Sequence, residues 1–184
     1  FKKTVLADGI AQYSTPVFDA AATGQTLTFF EAWGGALAYT FQLYFDFSGY
    51  SDMAIGAARM FGIKLPINFH SPYKATNIVE FWRRWHMTLS RWLRDYLYVP
   101  LGGNRKGPVR TYVNLSIVML LGGLWHGASW NFLVWGAMHG AMLAAERARG
   151  GESAYARLPA PARTALVFVL VLFTWVFFRA PDLP

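Results

Sequence analysis

Residues 164–178, TALVFVLVLFTWVFF, form the most uniformly apolar stretch of this chain, and Arg179 follows them directly. A segment of this kind predicts a helix in the hydrocarbon core of a membrane. The composition agrees, because 54% of the 184 residues are hydrophobic and 15% are charged, which is more apolar than an ordinary soluble domain. The sequence therefore predicts an all-α, polytopic membrane protein.

Two further segments also predict membrane helices. Residues 27–47 are mostly apolar and long enough to cross a hydrocarbon core of about 30 Å. Residues 112–145 contain two shorter apolar arms on either side of HGAS, and this pattern predicts a membrane hairpin. The acidic residues Glu31 and Asp46 of the first segment are expected to face protein or water, because a carboxylate in lipid is costly.

The first segment ends in FDFSGYSD, which contains Asp46, Ser48, Ser51 and Asp52. We interpret this stretch as a helix end, with Gly49 breaking the helix and Ser51 or Asp52 capping the next one. A polar lining at the mouth of a tunnel is the alternative.

The positive charges predict the orientation in the membrane. Ten of the 17 Lys and Arg residues fall between positions 59 and 110, which the positive-inside rule places in the cytoplasm. The connection 146–163 is also basic, so an even number of crossings should separate the two, as a hairpin over 112–145 requires. The net charge of +7 lies mainly between apolar segments, and this distribution favours membrane loops over nucleic-acid binding.

The basic stretch contains a predicted amphipathic helix over residues 77–99, on the cytoplasmic side. Asn77 is a suitable N-cap with Glu80 three positions later, and Pro100 closes the helix. On a helical wheel the apolar and aromatic side chains form one arc and the arginines lie opposite. The arc contains Phe81, Trp82, Trp85, His86, Leu89, Trp92, Leu93, Tyr96 and Leu97. Such a helix should lie in the membrane interface.

His126, in GLWHGASW, is the sharpest candidate for chemistry. Gly127 leaves room for another group to approach, and Trp125 and Trp130 would form aromatic walls that exclude water. A neutral imidazole in such a place can accept a proton from a hydroxyl nucleophile. The alternative is a packing histidine that hydrogen-bonds across the hairpin.

The other histidines are weaker candidates. His86 is interpreted as an interfacial side chain, His139 as structural, and His70 receives no role. The four histidines have no metal-type spacing, and the chain has no cysteine, so we predict no metal site and exclude thiolate chemistry. The chain begins at Phe1 and ends in FFRAPDLP, and we expect it to be a piece of a longer protein.

Three ordered motifs resemble those of the membrane-bound O-acyltransferase superfamily, and within it the alginate O-acetyltransferase branch. They are FDFSGYSDMAIGAARMFG, LPINFHSPYKATNIVEFWRRWHMTLSRWLRDYLYVPLGGNR and MLLGGLWHGASWNFLVWGAMHG, and the resemblance is close over residues 41–140. It implies a multi-helix funnel or tunnel with interfacial amphipathic helices. The 184 residues would then be part of one such domain.

The same resemblance implies two catalytic residues, His126 in the WHG motif and His86 in the WRRWH motif. Asp52, Trp85 and Arg94 would line the tunnel. The family places the acyl donor on the cytoplasmic side and the acceptor hydroxyl opposite, in multi-pass proteins of the bacterial inner membrane.

The implied function is transfer of an acetyl group from a cytoplasmic thioester to a polysaccharide such as alginate. Acetyl-CoA or an acyl-carrier protein would be the donor, no cofactor would be bound tightly, and acetyl-transfer partner proteins are expected. Two alternatives stay open: a transporter with a histidine proton relay, and a basic helix that recruits partners to anionic lipid.

Overall fold

The computed structural model describes residues 1–150 and 153–181, and every regular element in these ranges is helical. Seven α-helices follow in order within the described chain: α1 Asp8–Ala22, α2 Phe29–Met60, α3 Ile78–Arg84, α4 Met87–Leu93, α5 Gly107–His126, α6 Trp130–Ala148 and α7 Ala160–Arg179. Shorter helical segments are Lys2–Ala7 and Arg94–Tyr98, both of π type, and the 3₁₀ turn Pro72–Lys74. The chain divides into two compact units, Phe1–Asn68 with Arg179–Pro181, and Phe69–Phe178.

In the first unit, α1 packs along α2. A capping box begins α2, in which the Thr28 hydroxyl accepts from the Glu31 amide and the Glu31 carboxylate accepts from the Thr28 amide. Gly35 then lets the helices approach closely, since an added Cβ would overlap the side chain of Val17. The start of the predicted segment 27–47 is therefore helical because Thr28 and Glu31 cap it, and Gly35 allows α1 to pack closely against it.

The helix end predicted at FDFSGYSD is wrong, because α2 continues through it to Met60. Gly49 does not break the helix. A Cβ there would lie 3.0 Å from the backbone nitrogen of Lys3, so the glycine admits the π-helical segment. Ion pairs join Lys3 to Asp46 and Lys2 to Asp52 within this unit, and Ser51 caps no helix. Packing against a neighbouring segment has overridden the local signals for termination.

In the second unit, α5 and α6 form the hairpin expected over 112–145, with the turn at residues 127–129. Two glycines bring the arms together. An added Cβ on Gly123 would overlap the carbonyl oxygen of Phe132, and one on Gly136 would overlap that of Met119. Small residues at a helix seam are the usual means of close packing between membrane helices.

The helix predicted over 77–99 is divided at His86, which has a left-handed backbone with φ 41°. Asn77 does cap α3, and its side chain accepts from the Glu80 amide at 2.6 Å. The expected single apolar arc is also divided, because Phe81 and Trp85 are buried in the unit while Trp92 is 54% exposed. The chain turns directly after Trp85, whose ring is buried. One straight helix could not bury Trp85 and also leave Trp92 exposed, because both lie on the same predicted arc.

Within the described residues, one helix has the length and apolarity to cross a membrane by itself, Ala160–Arg179. It includes the predicted segment 164–178. Crossing of the membrane by the segment 27–47 and by the hairpin stays a prediction.

Candidate functional site

His126 is the last residue of α5, and its ring is partly exposed. The Gly127 amide donates to the Leu124 carbonyl at 3.1 Å and closes the helix directly after it. Gly127 also makes room for an aromatic neighbour, because an added Cβ would lie 2.7 Å from the ring of Phe132. The sequence WHG thus places an imidazole at a helix end, followed by a glycine whose missing side chain leaves space beside the ring.

Aromatic rings surround the His126 imidazole, but they are not all the ones expected. Trp125 lies beside it, with ring centroids 5.1 Å apart. Trp130 is 72% exposed and forms no part of the wall. The other near rings come from α6 and α7, with centroids at 5.4 Å for Trp135 and 5.0 Å for Phe178.

Trp135 and Phe178 are the site residues that sequence reasoning missed. They lie 9 and 52 positions from His126, and neither belongs to the WHG motif. Their one signal is membership of apolar segments, which many other residues share. The fold of the hairpin brings Trp135 to the imidazole, and the packing of α7 brings Phe178.

The structure brings His86 and His126 next to one shared side chain, that of Trp125. The Trp125 ring lies 6.4 Å from the ring of His86 and 5.1 Å from that of His126, centroid to centroid. Burial, and then the charge of His126, lower the pKa of His86 to about 4, so its imidazole is neutral at physiological pH. Two histidines far apart in sequence therefore form one site.

A groove of about 600 Å³, which we call the His86 groove, is lined by His86 and by Trp125. Its lining is mostly apolar, with one histidine and one threonine, and a cavity of this size and character suits a small acyl-bearing ligand. The lining residues are His86, Thr88, Leu89, Trp92, Leu93, Tyr96, Leu97, Leu121 and Trp125.

A buried carboxylate anchors the helix that leads to His86. Glu146, 4% exposed near the end of α6, accepts hydrogen bonds from the amides of Ile78 and Val79 at 2.9 and 3.2 Å. Amides in the first turn of a helix have no carbonyl partner within that helix, and a negative charge beside them is favourable. The Tyr155 hydroxyl donates to the same carboxylate at 2.9 Å, and burial together with Glu146 raises its pKa. The anchor fixes α3 to the hairpin that carries His126.

Glu80, a residue of α3, ties this helix to the segment before it. Partial burial disfavours its carboxylate, but hydrogen bonds from Thr76 and Arg84 outweigh that effect and lower its pKa. Arg84 donates to Glu80 at 2.6 Å and to the His70 carbonyl at 3.3 Å. The backbone of His70 is thus tied to α3 while its side chain is exposed, and nothing here gives that imidazole a chemical role.

His139 lies on the same hairpin in a different setting. It is fully buried, and its Nε2 lies 3.0 Å from the Thr174 hydroxyl. That hydroxyl donates its proton to the Val171 carbonyl at 2.7 Å, so His139 Nε2 is the donor toward it. The structure agrees with a packing role for His139.

Other residues singled out in the sequence have ordinary contacts. The Ser129 hydroxyl caps α6 by accepting from the Asn131 amide at 3.3 Å. Arg94 pairs with Asp95 at 2.7 Å, and Trp85 stacks in the core of its unit. Within the described ranges, no group of three His, Asp or Glu side chains is arranged to hold a metal ion.

Comparison of the chain with models of protein families shows which family it belongs to. The model of the membrane-bound O-acyltransferase family matches residues 10–181. The chain belongs to that family. The match includes both histidine motifs, the hairpin and α7, so the site described above lies inside a membrane-bound O-acyltransferase domain.

Several curated relatives of this membrane-bound O-acyltransferase chain align with three quarters of it or more. A Helicobacter pylori protein named peptidoglycan O-acetyltransferase is 52% identical over 185 residues, covering 100% of this chain and 34% of its own. A Pseudomonas fluorescens protein named "Probable alginate O-acetylase AlgI" is 55% identical over 182 residues, covering 99% and 36%. A teichoic acid D-alanyltransferase of Streptococcus thermophilus is 35% identical over 150 residues, covering 75% and 35%. The chain thus spans about a third of the length of these relatives.

Proposed function

We propose that this chain carries the catalytic part of a membrane O-acyltransferase that moves an acetyl group from a cytoplasmic thioester to a polysaccharide hydroxyl. The observation that carries the proposal is the His126 imidazole at a helix end, partly exposed and neighboured by Trp125, Trp135 and Phe178, with His86 beside the same Trp125. The three relatives above are named for transfer of acetyl or D-alanyl groups to peptidoglycan, alginate and teichoic acid.

In the proposed reaction His126 is a general base. Its neutral ring takes the proton of the acceptor hydroxyl while the oxygen attacks the thioester carbonyl. A carbon–oxygen bond forms, the carbon–sulfur bond breaks, and the imidazolium returns the proton to the leaving thiolate. The chain has no cysteine, and Ser129, three residues after His126, caps a helix, which favours direct transfer over an acyl-enzyme.

His86 is proposed to orient the donor or to stabilise developing charge. The apolar His86 groove would hold the acyl end of acetyl-CoA or of a carrier protein's acyl group. No tightly bound cofactor is needed for this chemistry. The setting we propose is a multi-pass funnel in the bacterial inner membrane, assembled with acetyl-transfer partner proteins, with the basic segment in the cytoplasm.

The test is acetyl transfer by the purified full-length protein in detergent, with a labelled acetyl donor, alginate as acceptor, and His126→Ala as the variant. We expect turnover to fall by about 100-fold or more, the typical contribution of a general base. The thermal midpoint should stay near that of the wild type, since the ring lies at a partly exposed helix end. Wild-type turnover by a folded His126→Ala protein would refute the role of His126, and absence of transfer by the wild type to any polysaccharide would refute the function.

A further inference from the structure

A second groove, of about 470 Å³, lies on the second unit and is not used by the proposed chemistry. We call it the arginine groove, because Arg83, Arg91 and Arg94 line it. It is formed by α3, α4, the start of the π-helical segment Arg94–Tyr98, and α6 through Leu143. It shares no lining residue with the His86 groove.

The arginine groove has an excess of positive charge. Arg94 is paired with Asp95 at 2.7 Å. Arg83 and Arg91 are both exposed, and neither forms an ion pair with a carboxylate in the described part of the chain. Guanidinium groups favour phosphate because their donors match its oxygens in pairs. The charge of the groove is therefore complementary to an anion with several oxygens.

The groove also has an apolar part, from Trp82, Met87 and Leu143. A free phosphate ion would leave this surface unused. A ligand that covers both parts has a phosphate joined to a hydrocarbon body, which is the chemistry of a phospholipid. Tryptophan and methionine are side chains that suit such a boundary, because indole rings favour the headgroup level of membranes and thioethers adapt to flexible chains.

The position along α6 agrees with a headgroup. Leu143 lies five residues before the helix ends at Ala148, or about 7 Å along the axis, and Arg147 and Arg149 follow it there. By the charge distribution this end of the hairpin is cytoplasmic, so the groove would lie at the inner surface of the bilayer.

We propose that the arginine groove binds the phosphate headgroup of an anionic phospholipid of the inner leaflet, with one acyl chain along Trp82 and Leu143. The site rests on the membrane placement given under the proposed function, and not on the chemistry of His126. A lipid bound there would hold α3 and α4 at the membrane surface, on the side of α4 away from the His86 groove.

The test compares lipid binding by two variants of equal charge change, Arg83→Gln with Arg91→Gln in the groove, and Arg105→Gln with Arg110→Gln in the same basic segment outside it. Full-length protein in neutral detergent is titrated with phosphatidylglycerol and phosphatidylcholine, and retained lipid is measured by native mass spectrometry. The wild type should retain phosphatidylglycerol preferentially. The groove variant should bind it about 30-fold more weakly, since each cation near an anionic surface contributes about fivefold, and the control variant should keep most of the affinity.

Three results would overturn the proposal. The groove variant could retain as much phosphatidylglycerol as the wild type, or the control variant could lose as much as the groove variant. Coenzyme A could also displace the lipid, in which case the groove belongs to a soluble phosphate ligand.

Ser90→Glu, which puts a carboxylate among the arginines without removing one, should weaken lipid binding as well. Because acetyl transfer is not the readout, failure of this site is separate from failure of His126 as the base.

Discussion

His126 and His139 lie on the two arms of one hairpin and have opposite surroundings. His126 ends α5 and is partly exposed, whereas His139 is fully buried within α6 and bonded to Thr174. Both imidazoles have aromatic neighbours, and Trp135 contacts both, at 5.4 and 4.9 Å between centroids. Aromatic surroundings are therefore common to the proposed base and to the packing histidine. The two differ in their exposure.

The difference teaches what each imidazole can do. Nε2 of His139 is engaged in the hydrogen bond to the Thr174 hydroxyl. The Nδ1 atom is buried without a hydrogen-bond partner in the described chain. A proton taken up there would leave a charge in an apolar core, which is costly. His126 is partly exposed, and the proposed function requires a substrate hydroxyl to reach its exposed side. The three predictions below test this contrast.

The largest expected effect is on stability, from His139→Ala. The change removes a buried ring and its hydrogen bond to Thr174, and should cost about 3 kcal/mol as a large-to-small core substitution. For a chain of 184 residues this cost corresponds to a fall of about 6–12 °C in the thermal midpoint, which is measured in detergent. Acetyl transfer per folded molecule should stay within about threefold of the wild type.

The control for His139→Ala is His70→Ala, which removes an exposed imidazole and should leave both readouts unchanged. If His139→Ala abolished transfer while the midpoint stayed in place, the buried histidine would be the functional one and the contrast would be reversed.

An intermediate effect is expected from Gly136→Ala in the seam of the hairpin. The new Cβ would overlap the Met119 carbonyl oxygen, and backbone cannot give way as a side chain can. Separating the arms should cost about 2 kcal/mol and lower the midpoint by about 4–8 °C. It should also lower transfer, because α6 carries the Trp135 wall of His126.

Gly34→Ala is the matched control, since an added Cβ at that helical glycine has no atom within 4 Å. It should be neutral or slightly stabilising because alanine favours helix. Equal midpoints for the Gly136→Ala and Gly34→Ala proteins would show that the seam has no tight requirement for glycine.

The smallest effect concerns pH and His86. Because burial lowers its pKa to about 4, the folded protein keeps this ring neutral while the unfolded chain protonates it below about pH 6.5. The unfolded state then binds more protons, so stability falls as pH is lowered from about 6.5 toward 4. The wild-type midpoint should drop between pH 7 and pH 5 by about 2–4 °C more than that of His86→Asn.

Thermal melts of both proteins across this range in one detergent provide the measurement. Parallel curves for wild type and His86→Asn would mean that solvent reaches the ring freely, and that His86 lies outside the shielded site shared with His126.

The sequence by itself determined the helical class, the hairpin and the two histidine motifs. Apolar stretches bounded by charge and by Gly-rich turns have few other solutions, and the Asn77 cap acts through neighbours three residues away. It also placed His126 at a turn, because the apolar arms on both sides end there.

Only the tertiary structure decided where helices end and which rings meet. The α2 helix passes through Gly49 because the π-helical segment packs there, and the helix over 77–99 divides at His86 because Trp85 enters the core. Trp135 reaches His126 across the hairpin, and Phe178 reaches it because α7 packs there. Local patterns record the preference of a residue for its own neighbours, whereas these features depend on the surfaces of other helices, which no local pattern contains.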